Sequence, residues 1–140
     1  MHLYYEIHGS ARAGSPPLPL LHGGGSTIQT SFGAILPPLA GTRRVIAFEQ
    51  QGHGHTADVP DRPFSFEQSA KDAVALLRHL HVDRADVLGY SNGGHIAIQI
   101  QPSGKGSVVP RSIRCPEISG RPTSPPHPAP ESSRPSSRSR

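Results

Sequence analysis

Three short apolar runs each end in a glycine-rich turn, and this repeated pattern limits the folds open to the chain more than any other feature. The runs cover residues 18–21, 44–48 and 85–88. Each has the length of a buried strand rather than of a helix, and the glycines supply the sharp turns that end it. A fourth, weakly alternating strand is predicted at residues 3–8.

Helical patterns lie between the apolar runs. Ser65 and Gln68 have the spacing of a capping box, which predicts that a helix begins there. Apolar residues then recur every three or four positions, as on one face of a helix, and they are Phe66, Ala70, Ala73, Leu77 and Leu80. A short helix is predicted within residues 32–39, broken by Pro37-Pro38, and an apolar helix begins in residues 96–100. Alternating strands and helices predict an α/β fold with a parallel sheet.

The composition changes after Gln101. Residues 102–140 hold half of the 14 Lys and Arg, two of the 10 Asp and Glu, nine of the 16 Pro and no aromatic residue. Such a segment buries too little apolar surface to offset its chain entropy. We therefore predict a partial α/β domain at residues 1–101 and a disordered Pro/Ser/Arg-rich tail at residues 102–140. The high pI of about 9.8 belongs to the tail.

Several partner classes and compartments are disfavoured by the composition. No stretch approaches the roughly 18 apolar residues of a membrane span, and the first residues lack the pattern of a signal peptide. The single Cys115 excludes an internal disulfide. The Arg/Ser-rich end of the tail resembles a nucleic-acid-binding segment but has no aromatic platform for bases. We expect a cytoplasmic location with neither a membrane nor a nucleic acid as partner.

One motif carries nucleophilic chemistry. The third apolar run leads into the sequence Gly89-Tyr90-Ser91-Asn92-Gly93, which matches G-x-S-x-G between a strand and a helix. The serine of this motif occupies a sharp turn that exposes its hydroxyl, and side chains at the two glycine positions would collide there. The helix that follows presents its amino terminus, so the N–H of Asn92 is placed to stabilise a developing oxyanion.

A second glycine-rich segment follows the first apolar run. It reads His22-Gly23-Gly24-Gly25 and lies on an earlier strand-to-helix loop, where the other half of an oxyanion hole is expected. Its glycines allow the backbone to approach a substrate closely. The N–H of Gly24 is the preferred donor, with Gly25 next, and His22 is expected to position the loop.

Together with Gly52-His53-Gly54-His55-Thr56 after the second run, these ordered motifs resemble the α/β-hydrolase fold family over nearly all of residues 1–101. The resemblance implies an esterase- or lipase-like serine hydrolase that acts on a small-molecule ester or related acyl substrate. Ser91 would be its nucleophile, Gly24 and Asn92 its oxyanion hole, and Gly89 and Gly93 its nucleophile elbow. No metal or organic cofactor is implied.

The chain departs from the family pattern after the nucleophile. In the family, an Asp or Glu and then a His follow the serine, and both come from the later half of the fold. The 49 residues that follow Ser91 contain no predicted strands that could carry them. Downstream Glu117, His127 and Glu131 lie in Pro/Ser-rich surroundings that do not hold a base at the required 2.6–3.2 Å or so. We therefore expect the strand before Ser91 to have an unpaired edge and the chain to lack activity. A non-catalytic fragment is the alternative.

The codons around the start of the tail suggest a hypothesis for its origin. Reading the codons of residues 101–107 one base later permits Ser-His-Pro-Glu-Arg-Val-Arg, which resembles the segment that commonly follows the nucleophile helix in this family. The hypothesis is a frameshift near Gln101, in the gene or in its sequencing.

A metal-dependent hydrolase is a further alternative. His53, His55 and Asp58 have a spacing close to that of metallo-hydrolase ligands, although one more histidine on a rigid element is needed. His95, at the start of the nucleophile helix, is expected to pack or to contact solvent. Pro19 lies in a predicted central strand, where proline removes a ladder hydrogen bond, so that strand is expected to start at Leu20 or to be weak.

Overall fold

A computed structural model describes residues 2–100 and 109–114 of the 140-residue chain. In that part the strands form one sheet with the order β1-β3-β2-β4-β5. The strands are β1 (Tyr5–His8), β2 (Leu18–Leu21), β3 (Val45–Phe48), β4 (Arg84–Gly89) and β5 (Val109–Arg114). β1 is antiparallel to β3, and the other three pairings are parallel. The predicted α/β class with a parallel sheet is confirmed.

Helices cover both faces of the sheet. They are α1 (Ile28–Phe32), α2 (Leu36–Ala40), α3 (Phe66–His79) and α4 (Asn92–Gln99). α1 and α2 pack with β2 and β3 in one apolar cluster, whereas α3 and α4 pack with β2, β3 and β4 in the other. None of the described helices is long and apolar enough to cross a membrane.

β3 shows why an uninterrupted apolar run forms the middle of this sheet. Val45 and Ala47 face the α1/α2 cluster, and Ile46 and Phe48 face the α3/α4 cluster. All four side chains are buried. Successive residues of a strand point to opposite faces, so a strand covered on both sides needs apolar residues at every position.

The start of α3 is capped by one side chain. The hydroxyl of Ser65 accepts a hydrogen bond from the N–H of Gln68 at 3.0 Å. The Gln68 side chain donates to Asp72 at 3.1 Å instead of completing the capping box, so the cap is one-sided. The predicted apolar face packs against the core, with three buried residues flanked by two partly buried ones, in the order Phe66, Ala70, Ala73, Leu77 and Leu80.

Two helix predictions are wrong in their boundaries. Pro37 and Pro38 do not break a helix but lie in the first turn of α2, where the missing N–H of proline has no intrahelical acceptor to lose. α4 begins at Asn92 rather than at Ile96, and Gly93 in its first turn packs against the carbonyl of Leu21 at the end of β2.

Pro19 lies within β2, which begins at Leu18 rather than at Leu20. The N–H of Leu18 donates to the Arg44 carbonyl beside β3. N–H groups alternate in direction along a strand, so residue 19 would donate towards β4. The β2–β4 pairs begin only at Leu20, and the β2–β3 ladder runs through Pro19 to its partner Ile46. The proline therefore removes a donor at the margin of one pairing.

β4 is paired on its outer side, contrary to the expectation of an open edge. Six residues of the predicted tail form β5, parallel to β4, with Arg84 opposite Val109. A strand edge presents unpaired N–H and C=O groups, which an added strand satisfies. The rest of the predicted tail lies outside the described residues, including Cys115, Glu117, His127 and Glu131. Residues 101–107 of the frameshift hypothesis also lie outside them.

Candidate active site

The candidate site lies at the carboxyl ends of three adjacent parallel strands, β3, β2 and β4. Loops that follow neighbouring parallel strands emerge at the same edge of a sheet, which is where open α/β sheets bind ligands. Here those loops begin at His22, Glu49 and Tyr90. The N–H of Tyr90 donates to the carbonyl of Leu21 at 2.9 Å, so the ends of β2 and β4 are joined directly beneath the site.

Ser91 has a strained backbone and an exposed side chain. It is the N-cap of α4 with φ 53° and ψ −119°, and it is exposed to solvent. Such a conformation costs a non-glycine residue about 1–3 kcal/mol and occurs where the surrounding structure imposes it. Among the described residues, its hydroxyl has no hydrogen-bond partner. The turn therefore presents a serine hydroxyl to the space above the sheet.

Close backbone contacts impose this turn. A Cβ at Gly89 would overlap the backbone of Gly93 and Gly94, and a Cβ at Gly93 would overlap the carbonyl of Leu21. The sequence correctly predicted that side chains at both positions collide. The structure adds that the obstacle for Gly93 is the end of β2 rather than the turn itself. Glycine at both positions lets α4 start directly on the sheet.

The loop after β2 lies against this turn. A Cβ at Gly23 would touch the Tyr90 ring at 3.2 Å and the Cβ of Ser91 at 3.3 Å, and a Cβ at Gly24 would overlap the side-chain amide of Asn92. Asn92 is the first residue of α4, so its N–H has no intrahelical acceptor. The structure thus brings together all five residues predicted for the site: Gly24, Gly89, Ser91, Asn92 and Gly93.

His22 holds the loop from its buried side. Its Nε2 accepts a hydrogen bond from the N–H of Gln50 at 3.0 Å, and its Nδ1 donates to the carbonyl of Gly23 at 2.7 Å. The ring is therefore neutral with its proton on Nδ1. Burial lowers the pKa of His22, which favours this neutral form. These contacts match the loop-positioning role expected for His22.

The geometry of His53, His55 and Asp58 does not match the metal alternative. His53 accepts from the N–H of Gly25 at 3.1 Å and donates to the carbonyl of Gln51 at 2.8 Å, so both ring nitrogens are engaged. His55 pairs with Glu49, and Asp58 accepts from the side chain of Gln51. Within residues 2–100 and 109–114, no group of three or more His, Cys, Asp or Glu side chains is placed to hold a metal ion.

Glu49 is an anchor that the sequence analysis missed. Its side chain is 2% exposed and accepts hydrogen bonds from the N–H of His55 at 2.6 Å and from the N–H of Ile28 at 3.4 Å. It therefore ties the loop after β3 to the first residue of α1. A carboxylate directly after an entirely apolar strand was the available signal, because such a position is buried and needs donors.

His95 packs, as expected, rather than serving Ser91. Its ring stacks on Phe66 with centroids 5.2 Å apart and an interplanar angle of 15°. Phe64 meets Phe66 edge-on at 5.7 Å. No histidine or carboxylate in the described part of the chain is hydrogen-bonded to Ser91, so those residues provide no general base in place.

The family comparison covers most of the described chain. Residues 16–100 match the family model of the alpha/beta hydrolase fold. That range contains β2 to α4 and every residue of the candidate site.

Individual relatives and solved structures agree with this match. The chain is 39% identical over 88 residues to a magnesium-chelatase 30 kDa subunit of Rhodobacter capsulatus, covering 63% of this chain and 31% of that protein. It is 38% identical over 99 residues to a proline iminopeptidase of Lactobacillus helveticus, covering 68% and 33%. A solved carboxylesterase of Nitrososphaera gargenis is 33% identical with a TM-score of 0.66, covering 81% and 40%. The chain spans about a third of the length of the curated relatives it matches.

The contact between α4 and β2 predicts a large cost for one added methyl group. Gly93→Ala is expected to lower the free energy of unfolding by about 1–3 kcal/mol, because its Cβ has no room beside the Leu21 carbonyl. Gly41→Ala is the control, since its Cβ would meet only ordinary contacts from 3.4 Å outward. Urea unfolding measures both, and equal stability of the two variants would contradict the contact.

Burial of His22 predicts a loss of stability in mild acid. The pKa of His22 is lowered from 6.5 by burial, so the unfolded chain binds the proton first as the pH falls. The contribution of the neutral ring is complete above pH 6.5 and is lost as the pH falls through the lowered pKa of the folded state. His22→Gln removes this part of the pH dependence.

The measurement is the urea midpoint between pH 8 and pH 5. The wild-type midpoint is expected to fall more steeply with acid than that of His22→Gln. His79→Gln, which changes an exposed residue of α3, is expected to follow the wild type. Parallel curves for all three proteins would contradict the assignment to His22.

Proposed function

The chain belongs to the α/β-hydrolase fold family, and we propose that it carries the nucleophile of a serine-dependent hydrolase for small-molecule esters or related acyl compounds. The observation that supports this proposal most directly is the strained, exposed Ser91 at the start of α4. Names of several relatives, such as proline iminopeptidase and carboxylesterase, describe hydrolases and support the reaction class.

In the proposed reaction, Ser91 Oγ attacks the acyl carbon of the substrate. The hydroxyl proton passes to a general base, and the carbonyl oxygen becomes an oxyanion that accepts from the N–H groups of Asn92 and Gly24. Collapse of this intermediate expels the alcohol, which takes up the proton, and leaves an acyl group on Ser91. Water then attacks the acyl group by the same steps and regenerates the serine. Only protein groups and water take part.

No general base for Ser91 is in place among residues 2–100 and 109–114. The family resemblance assigns it to a histidine that follows the nucleophile, oriented by an acid. Among residues 2–100, His22 and His53 are hydrogen-bonded to backbone groups and His95 is stacked on Phe66. We therefore propose that this chain has a formed nucleophile turn but very slow turnover. The alternative to a slow serine hydrolase is a non-catalytic fragment.

Selective reaction of Ser91 with a fluorophosphonate tests the nucleophile. The probe is strongly electrophilic, and the oxyanion donors lower the barrier only at Ser91. We expect peptide mapping to show an adduct at Ser91 about a hundredfold faster than at the other serines, by the usual effect of oxyanion donors. Ser91→Ala removes that adduct. Equal labelling of Ser91 in native and urea-unfolded chains would contradict the proposal.

Hydrolysis of p-nitrophenyl acetate tests whether Ser91 has a general base. The serine, the histidine base and the acid of such a site act as a unit. A site without its base is therefore expected to turn over at least about 10⁴-fold more slowly than an intact relative. The carboxylesterase of Nitrososphaera gargenis, assayed in parallel, is the reference. Ser91→Ala is expected to change the slow rate by less than about tenfold. Turnover within a hundredfold of the reference, lost in Ser91→Ala, would show that a base is present.

A further inference from the structure

The loops after β2 and β3 exchange hydrogen bonds through two histidine rings. His22 belongs to the β2 loop and accepts from the backbone N–H of Gln50 in the β3 loop. His53 belongs to the β3 loop and accepts from the backbone N–H of Gly25 in the β2 loop. The two ring centroids are 5.0 Å apart. Each loop therefore provides one imidazole and one N–H to the other.

Both rings use the same protonation state. Each Nδ1 donates to a backbone carbonyl, that of Gly23 for His22 and that of Gln51 for His53. Each Nε2 accepts an N–H, so it carries no proton. For each ring, the backbone N–H that it accepts from and the backbone carbonyl that it donates to lie in different loops. Each ring is therefore a rigid spacer between the two loops.

These contacts anchor Gly24 on both sides. The carbonyl of Gly23 accepts from His22, and the N–H of Gly25 donates to His53. Gly25 has a φ of 66°, and a Cβ added there would meet no described atom within 4 Å other than those of its chain neighbours, so packing does not hold it. A run of three glycines has high conformational freedom, and the His53 contact restricts it at the exposed end.

We infer that His53 is a positioning residue, which holds Gly25 so that the N–H of Gly24 faces the oxyanion formed on a substrate of Ser91. This role rests on the proposed function. A donor stabilises the transition state fully only when it is already oriented, because orienting it during the reaction costs free energy. The hydrogen bond between His53 and Gly25 is itself independent of any reaction, so the two parts are tested separately.

The first measurement tests the hydrogen bond in the 140-residue chain. At pH 8, ¹⁵N spectra of the His53 ring are expected to show the proton on Nδ1 and a bare Nε2. Amide exchange at Gly25 is expected to be about two- to twelvefold faster in His53→Phe, the usual effect of one hydrogen bond. His53→Gln keeps an acceptor oxygen near the Nε2 position, and His79→Gln changes an exposed histidine of α3. Both are expected to exchange as the wild type does.

The second measurement tests the positioning of the oxyanion donor. Fluorophosphonate labelling of Ser91 is expected to be about tenfold slower in His53→Phe, less than the loss of a whole donor, and to recover in His53→Gln. A merely structural role would not produce this recovery, because glutamine does not replace the packing of an imidazole ring.

The possible failures are distinct. A proton on Nε2, unchanged Gly25 exchange in His53→Phe, or fast exchange in His53→Gln would overturn the hydrogen bond. The expected Gly25 exchange differences with equal Ser91 labelling in His53→Phe and the wild type would overturn the positioning role. Wild-type labelling no faster at Ser91 than at other serines would overturn the proposed function, and the positioning role with it, whatever the exchange data show.

Discussion

The close backbone contact between α4 and the end of β2 is the constraint on which the candidate site depends. Gly93 lies against the carbonyl of Leu21, and Gly89 lies against the backbone of Gly93. With the strand before it and the helix after it held this close, the chain reverses within one residue. That residue, Ser91, takes a positive φ. The strain at the serine and its exposed hydroxyl thus have the same cause.

Buried polar groups, rather than apolar packing, hold the neighbouring loops. Glu49, Gln50 and His22 are all buried, and their side chains have hydrogen-bond partners in the opposite loop or in α1. Burying such groups is favourable only when their bonding is satisfied. A glycine-rich loop has no side chains of its own to bury, so its conformation depends on these partners. This makes the site sensitive to single polar contacts.

Much of the fold was predictable because the apolar runs are short and sharply bounded. β2 covers the whole apolar run 18–21, although Pro19 had favoured a later start. β3 lacks the first residue of its predicted run, and β4 extends one residue beyond its run at each end. The errors arose at glycines and prolines, which occur both in the first turn of a helix and in the turns between elements. Pro37-Pro38 starts α2 instead of breaking it, and Gly93 and Gly94 belong to α4 instead of to a turn. For Gly93, the contact with the end of β2 decided between two conformations that the local sequence does not distinguish.

The sequence by itself determined the α/β class, the residues of the turn around Ser91 and the collision of any side chain at Gly89 or Gly93, since these follow from local apolar patterns and from backbone sterics. Only the tertiary structure decided the partners of the histidines. His22 and His53 each bond to a residue 28 positions away. Those contacts exist because β2 and β3 are adjacent and parallel, so that both loops leave the same edge of the sheet.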